Sequence, residues 1–278
     1  MTLKEKLQLL TKQKKGLLAT NFYNLETLHG VLKAACVTNQ PIILQLTKSS
    51  INYMGLKTAV NLARTGLEQF GVEGWLHLDH GNTVDLVQTC LDGGFDSVMI
   101  DGSELSFEEN IDISKEVVKR ARAYNAHVEA ELGYVAKLGQ SHSQKVFTQP
   151  DQAKKFVEET GVDSLAIAIG TTHGFYKEEP SLQFQILSEI HNQVKATLVL
   201  HGSSGLPAQQ IKEAISRGIC KINLATETKN IFMKTLQDSL RNTEEIDLRK
   251  VFPLATEKVS ELVKEKLEII SRPSKSLF

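Results

Sequence analysis

At 278 residues, 41% of them hydrophobic, the chain is long enough to bury a sizeable core and falls within the normal size of one α/β barrel. Its 32 Lys and Arg against 33 Asp and Glu leave a net charge of −1, so no basic field recruits nucleic acid or anionic lipid, and a bound anion must be held by local geometry. Cys36, Cys90 and Cys220 are widely spaced in apolar runs, which predicts buried thiols in a reducing compartment rather than disulfides.

MTLKEKLQLLTKQKKG opens as a short charged amphipathic helix without the apolar core of a signal peptide, and no run of about 18 apolar residues follows to span a membrane. A cytoplasmic protein is expected. Short β-branched apolar runs then recur: Leu17–Tyr23, Pro41–Thr47, Gly74–Asp79, Ser97–Asp101, His127–Leu132, Ser164–Ile169, Thr197–Leu200 and Ile219–Leu224. Each reads as a strand. The segments between them carry helical periodicity, as in Asn110–Tyr124, Asp151–Thr160 and Pro207–Arg217, with Gly161 and Gly218 as stops. Gly133 to Pro150 has no clear period and is expected to be a mobile loop. Asp247 to Arg272 is expected to add one or two helices.

Strand and helix thus alternate through eight units, which predicts a parallel sheet covered by helices. Eight units close naturally into a single (β/α)8 (TIM) barrel domain over 1–278, with a C-terminal helical extension at about 247–272. A doubly wound open sheet would carry a Gly-rich dinucleotide loop after its first strand, and GLLATNFY has none.

Functional side chains of such a barrel gather at the C-terminal ends of its strands. There the third strand reads HLDHG, the fourth MIDGS, the fifth VEAELG, the sixth IGTTHG, the seventh LVLHGSSG and the eighth KINLATE. His80, His173 and His201 therefore share one rim with Asp79, Asp101 and Glu131. A lone strand-end histidine is usually just hydrogen-bonded, but three at one mouth beside carboxylates are harder to explain that way. A three-histidine set leaves a fourth position open on zinc, the arrangement for catalysis rather than structure. His77 shares the face of Asp79 but lies deeper, as a core residue or as one that supports the site side chains from behind. His127 begins a strand at the opposite end, and His29 and His191 fall in helices. The loops Gly202-Ser203-Ser204-Gly205 and Asn223-Leu224-Ala225-Thr226 follow strands seven and eight, where small and hydroxyl residues let backbone N–H groups approach a phosphate. Ordinary strand–helix turns have the same composition.

From near Ala19 to the end of the eighth unit, HLDHG, MIDGS…ENI, VEAELG, TGVDSLAIAIGTTHG, LVLHGSSG and KINLATE closely resemble the class II ketose-bisphosphate aldolases, of the fructose- and tagatose-bisphosphate type. The resemblance implies a catalytic Zn2+ on His80, His173 and His201, with Asp101 and Glu131 as a possible second metal position. It implies Asp79 as the acid/base at the carbon–carbon bond. It places the phosphate of dihydroxyacetone phosphate on Gly174, Gly202, Ser203, Ser204, Asn223, Leu224, Ala225 and Thr226. A monovalent cation, Na+ or K+, is expected at the carbonyls of Gly174 and Gly202. The partner is then a small phosphorylated sugar, with no nucleic acid or membrane, and the assembly a homodimer or homotetramer.

Zinc can carry the negative charge that cleavage leaves on the three-carbon half, so no lysine Schiff base is needed and Lys221 reads as structural. One departure concerns the loop after VEAELG, where relatives usually carry a GGxED-type acid. Here YVAKLGQSHSQKVFTQP offers no carboxylate between Glu131 and Asp151, so His142 is the candidate loop base. The alternative is a paralogue that binds a sugar phosphate without turnover. Ala225 in NLATE follows the tagatose-type pattern, where fructose-type relatives often carry Asp.

Overall fold

A computed structural model describes residues 1–133, 147–176, 180–241 and 243–271. The chain begins with α1 (Leu3–Lys12), β1 (Leu17–Asn21), α2 (Leu25–Thr38) and β2 (Ile42–Leu46). It continues through α3 (Lys48–Met54), α4 (Leu56–Phe70), β3 (Gly74–Gly81), α5 (Val84–Asp92) and β4 (Ser97–Ile100). Then come α6 (Phe107–Ala121), β5 (His127–Leu132), α7 (Pro150–Thr160), β6 (Ser164–Ile167), α8 (Phe184–Gln193) and β7 (Thr197–Leu200). It closes with α9 (Ala208–Ser216), β8 (Ile219–Leu224), α10 (Thr226–Arg241) and α11 (Leu248–Ser271). The eight strands are parallel, ordered β1 to β8, and β8 pairs back to β1 to close the barrel.

Local chemistry sets the element ends. Ser106 accepts from the Glu109 N–H while the Glu109 carboxylate accepts from the Ser106 N–H, and acids in the first turn and Lys119 and Arg120 in the last suit the dipole of α6. Pro150 opens α7, and Gly161 ends it in the left-handed region.

Alternation along the strands builds two cores. Leu18, Leu44, Leu76, Leu78, Val128, Ala130, Ile222 and Leu224 face outward into the layer beneath the helices. Leu17, Ala19, Ile43 and Trp75 face inward and meet Leu3 and Leu7 of α1, which plugs the N-terminal mouth. Cys220 lies there too, its thiol donating to the Leu7 carbonyl at 3.4 Å. Each leucine, isoleucine or valine among these side chains contributes roughly 1.5–3 kcal/mol on full burial. Above the plug the interior turns polar: Gln45, His77, Glu129 and Lys221 are all fully buried.

Beyond the eighth unit, α11 packs against α2 and α10. Close approach to α2 depends on Gly30, where a Cβ would meet Val259 at 2.7 Å and the Thr256 carbonyl at 2.8 Å. The extension expected at 247–272 is thus a single helix. The cysteine expectation needs correcting: Cys90 and Cys220 are buried, but Cys36 is exposed, because it falls on the outer face of α2.

Candidate active site

The C-terminal mouth is shaped first by an irregularity in β3. Its pairing to β4 shifts register between Leu78 and Gly81, and His80 takes a left-handed backbone with φ 52°. In a regular strand Asp79 and His80 would point to opposite faces. The bulge turns both toward the mouth, and such a non-glycine residue costs about 1–3 kcal/mol.

His80, His173 and His201 converge there with ring centroids 4.8–5.9 Å apart, and their nearest ring nitrogens lie within 4.8 Å of one another. A second trio on the same histidine joins His80, Asp101 and Glu131. His80 donates from Nδ1 to Asp101 Oδ2 at 2.7 Å, which leaves its Nε2 toward His201 Nδ1 at 3.1 Å. Asp101 is held in turn by the Ser103 N–H and hydroxyl at 3.1 and 2.7 Å. Burial and its neighbours His80 and His201 hold the His173 imidazole down at about 3, so it stays neutral. At His80 the order reverses: burial pushes the ring down, but the Asp101 hydrogen bond and the fields of Asp79 and Glu131 lift it to about 9. That lift measures how strongly the carboxylates favour positive charge between the rings. Three imidazoles, surrounding acids and room for a fourth ligand suit zinc.

Asp79, 5% exposed, stands beside the trio. Asn21 Nδ2, Gln45 Nε2 and Asn223 Nδ2 approach its carboxylate at 3.1, 3.4 and 3.5 Å. Burial pushes this carboxyl up, and His80, His201, Lys221 and His77 more than offset it, so it sits below its ordinary value. It is an ionised base at neutral pH.

The two loops expected to receive an anion line the same cleft as the trio. Gly202 has φ +68°, and a Cβ there would meet the Thr172 carbonyl at 2.4 Å, so only glycine lets the β6 and β7 loops pack together. Tyr176 donates from its hydroxyl to the Gly202 carbonyl at 2.6 Å, which fixes the two loops to each other. The β7 loop is fastened to the start of α10: the Glu227 N–H donates to Ser204 Oγ at 3.3 Å and the Gly205 N–H to Glu227 Oε1 at 2.8 Å. Lys266 of α11 completes the fastening, its ammonium 2.9 Å from Glu227 Oε2.

A cleft of about 250 Å³ joins these parts, lined by Asp79, the three histidines, Gly174, Gly202, Ser204, Asn223, Ala225 and Thr226. Two expected anion residues are not among its lining: Leu224 turns its side chain into the outer core, and Ser203 donates its hydroxyl to the Asn223 carbonyl at 2.6 Å. Asp101 and Glu131 sit behind His80, outside the lining. His142 lies outside the described residues. Hollows at the closed end of the barrel surround α1, Asp96 and Asn125, away from every member of this set.

Sequence reasoning missed Asn21, Tyr23, Thr47, Ser49 and Lys229, which also line the cleft. Among the described residues Lys229 is the single lysine or arginine of the lining, its ammonium 5.5 Å from the Tyr23 ring centre. It also missed Gln45 and Glu129. A polar residue interrupting an apolar strand, as in PIILQLT, was the available signal.

The family model described as fructose-bisphosphate aldolase class-II matches residues 1–275. The D-tagatose-1,6-bisphosphate aldolase subunit GatY of Klebsiella oxytoca is 41% identical over 223 residues, 79% of this chain and 78% of that protein. The crystal structure of the YdjI aldolase from Escherichia coli K12 superposes with a TM-score of 0.87 at 32% identity, covering 99% of this chain and 98% of that one. The fructose-bisphosphate aldolase of Campylobacter jejuni, 23% identical, gives a TM-score of 0.83 over 96% and 93% of the two chains, a likeness of fold alone.

Proposed function

The chain belongs to the class-II fructose-bisphosphate aldolase family and is a lyase, and on that footing we propose that it is a zinc-dependent aldolase for a phosphorylated ketose, tagatose- or fructose-bisphosphate-like, yielding dihydroxyacetone phosphate and an aldehyde. The convergence of His80, His173 and His201 beside the ionised Asp79 carries this reading. The three imidazoles would hold the ion, with Asp101 and Glu131 as its second resting place. When bound, zinc supplies a Lewis acid for the ketose carbonyl oxygen.

The remaining work falls to the chain itself. The Asp79 carboxylate takes the proton of the substrate hydroxyl as the carbon–carbon bond breaks, and returns it in condensation. The bond's electron pair stays with the three-carbon half, which must gain a proton at carbon to leave as dihydroxyacetone phosphate, the step for which His142 is the candidate loop group. Asn21, Gln45 and Asn223 keep that carboxylate aimed. Backbone N–H groups of the β7 loop and the N-terminus of α10 receive the phosphate, together with the hydroxyls of Ser204 and Thr226. Na+ or K+ at the Gly174 and Gly202 carbonyls would offset phosphate charge. Lys229 lines the same cleft and offers a cation for substrate phosphate. The chain acts as one domain within a homodimer or homotetramer in the cytoplasm, a reading supported by the word subunit in the name of GatY.

Coupled assay of dihydroxyacetone phosphate release from a panel of ketose 1-phosphates and 1,6-bisphosphates tests the proposal, before and after chelation. Turnover should vanish with the metal and return with zinc. Undiminished cleavage after complete chelation, or no release from any member of the panel, would refute it.

A further inference from the structure

Beneath the metal histidines lies a pair that the reaction does not use. Lys221 on β8 and Glu129 on β5 are both fully buried, with the ammonium 2.8 Å from Glu129 Oε2 and 3.1 Å from Oε1. Two charges taken that far from water are costly, so the pair needs a reason beyond stability.

Hydrogen-bond direction supplies one. An ammonium only donates and a carboxylate only accepts. On one side of the pair, Lys221 Nζ is 3.4 Å from His77 Nε2, so that nitrogen accepts and His77 Nδ1 must carry the hydrogen it gives to Ser97 Oγ at 2.7 Å. On the other side, Glu129 Oε1 is 3.0 Å from His201 Nε2, so that nitrogen must carry the hydrogen. His201 Nδ1 is then bare, and it is the atom that faces His80 Nε2 at 3.1 Å. Asn223 Nδ2 lies 3.1 Å from His201 Nε2 and 3.5 Å from Asp79 Oδ1, so with Nε2 protonated its hydrogens are directed to the carboxylate.

We propose that the Lys221–Glu129 ion pair is the orienting device of the metal centre, fixing His201 as its Nε2–H tautomer so that Nδ1 is offered to the ion. Both members are positioning residues. Lys221 keeps Glu129 in place as a pure acceptor, and Glu129 keeps the His201 ring in one orientation with one bare nitrogen. Carboxylates that hold the far nitrogen of a metal-bound histidine act in this way. The inference rests on the zinc reading above, and its test separates the two.

Nitrogen-15 NMR of the imidazoles in protein stripped by chelator reads the tautomer directly, with His201 assigned by the signal lost in His201→Gln. A protonated Nε2 and bare Nδ1 are expected; the opposite tautomer overturns the proposal. A Glu129→Gln/Lys221→Met double variant removes both charges at nearly constant volume. With circular dichroism like the parent's, its zinc affinity by chelator competition should fall about 10–100-fold, and an Nδ1–H population should emerge. A parent that binds zinc alongside a folded double variant binding it within about threefold would overturn the proposal. A parent that takes up no zinc sinks the zinc reading instead, while the tautomer result stands. If the double variant does not fold, the tautomer in the parent decides.

Discussion

Replacing Asp79 by asparagine should leave a folded, zinc-loaded protein that barely cleaves its substrate. The substitution keeps the shape of a side chain that is 5% exposed. What changes is its hydrogen-bonding sense. Amide N–H groups of Asn21, Gln45 and Asn223 converge on the carboxylate. Asparagine offers them one oxygen and turns an NH2 group toward the rest, which costs about 1–3 kcal/mol for a buried donor left unsatisfied. The barrel survives a loss of that size. The rate does not, because the group that receives the hydroxyl proton is gone: a drop of about two to four orders of magnitude is expected. At 1.36 kcal/mol per tenfold, that is roughly 3–5 kcal/mol of barrier. Coupled turnover, zinc content and a thermal melt measured on the same preparation keep the effects apart. Cleavage within about tenfold of the parent would remove Asp79 from the proton transfer. Zinc lost together with rate would put it in the metal shell instead.

Two further outcomes follow from the same geometry. His173→Ala should strongly reduce zinc retained after dialysis, since one of three protein ligands is lost; full occupancy by metal analysis would exclude His173 from the set. Gly202→Ala forces a Cβ against the Thr172 carbonyl in a left-handed backbone, so the melt should fall by about 1–3 kcal/mol in stability and inhibition by inorganic phosphate should weaken. Unchanged phosphate inhibition would show that this loop does not hold the anion.

The eight strands were legible because each is a short apolar run between helical periods, and their observed bounds differ from the expected ones at the ends alone. β3 runs to Gly81 where Asp79 was expected, and β1 stops at Asn21 where Tyr23 was. Strand ends also gave the three histidines and Asp79, because a parallel barrel sends those ends to one mouth. How Asp79 and His80 share that mouth was not legible: it depends on a left-handed backbone at a non-glycine residue. Glu129 passed unnoticed beside Glu131 in VEAELG, although the two are one alternation apart on the same inward face. Lys221 was read as structural, without the partner that gives it a role, since pairing across the barrel joins residues far apart in the chain.

The link from Lys266 through Glu227 to the Gly205 N–H has a bearing on biosynthesis. On a ribosome α11 is made after all eight strands, so the rings and acids of the mouth emerge well before the lysine that fastens the β7 loop. A translation product halted short of α11 would carry the three histidines of the mouth without the lysine that fastens the β7 loop, and so, on the proposed reading, without a fixed seat for phosphate.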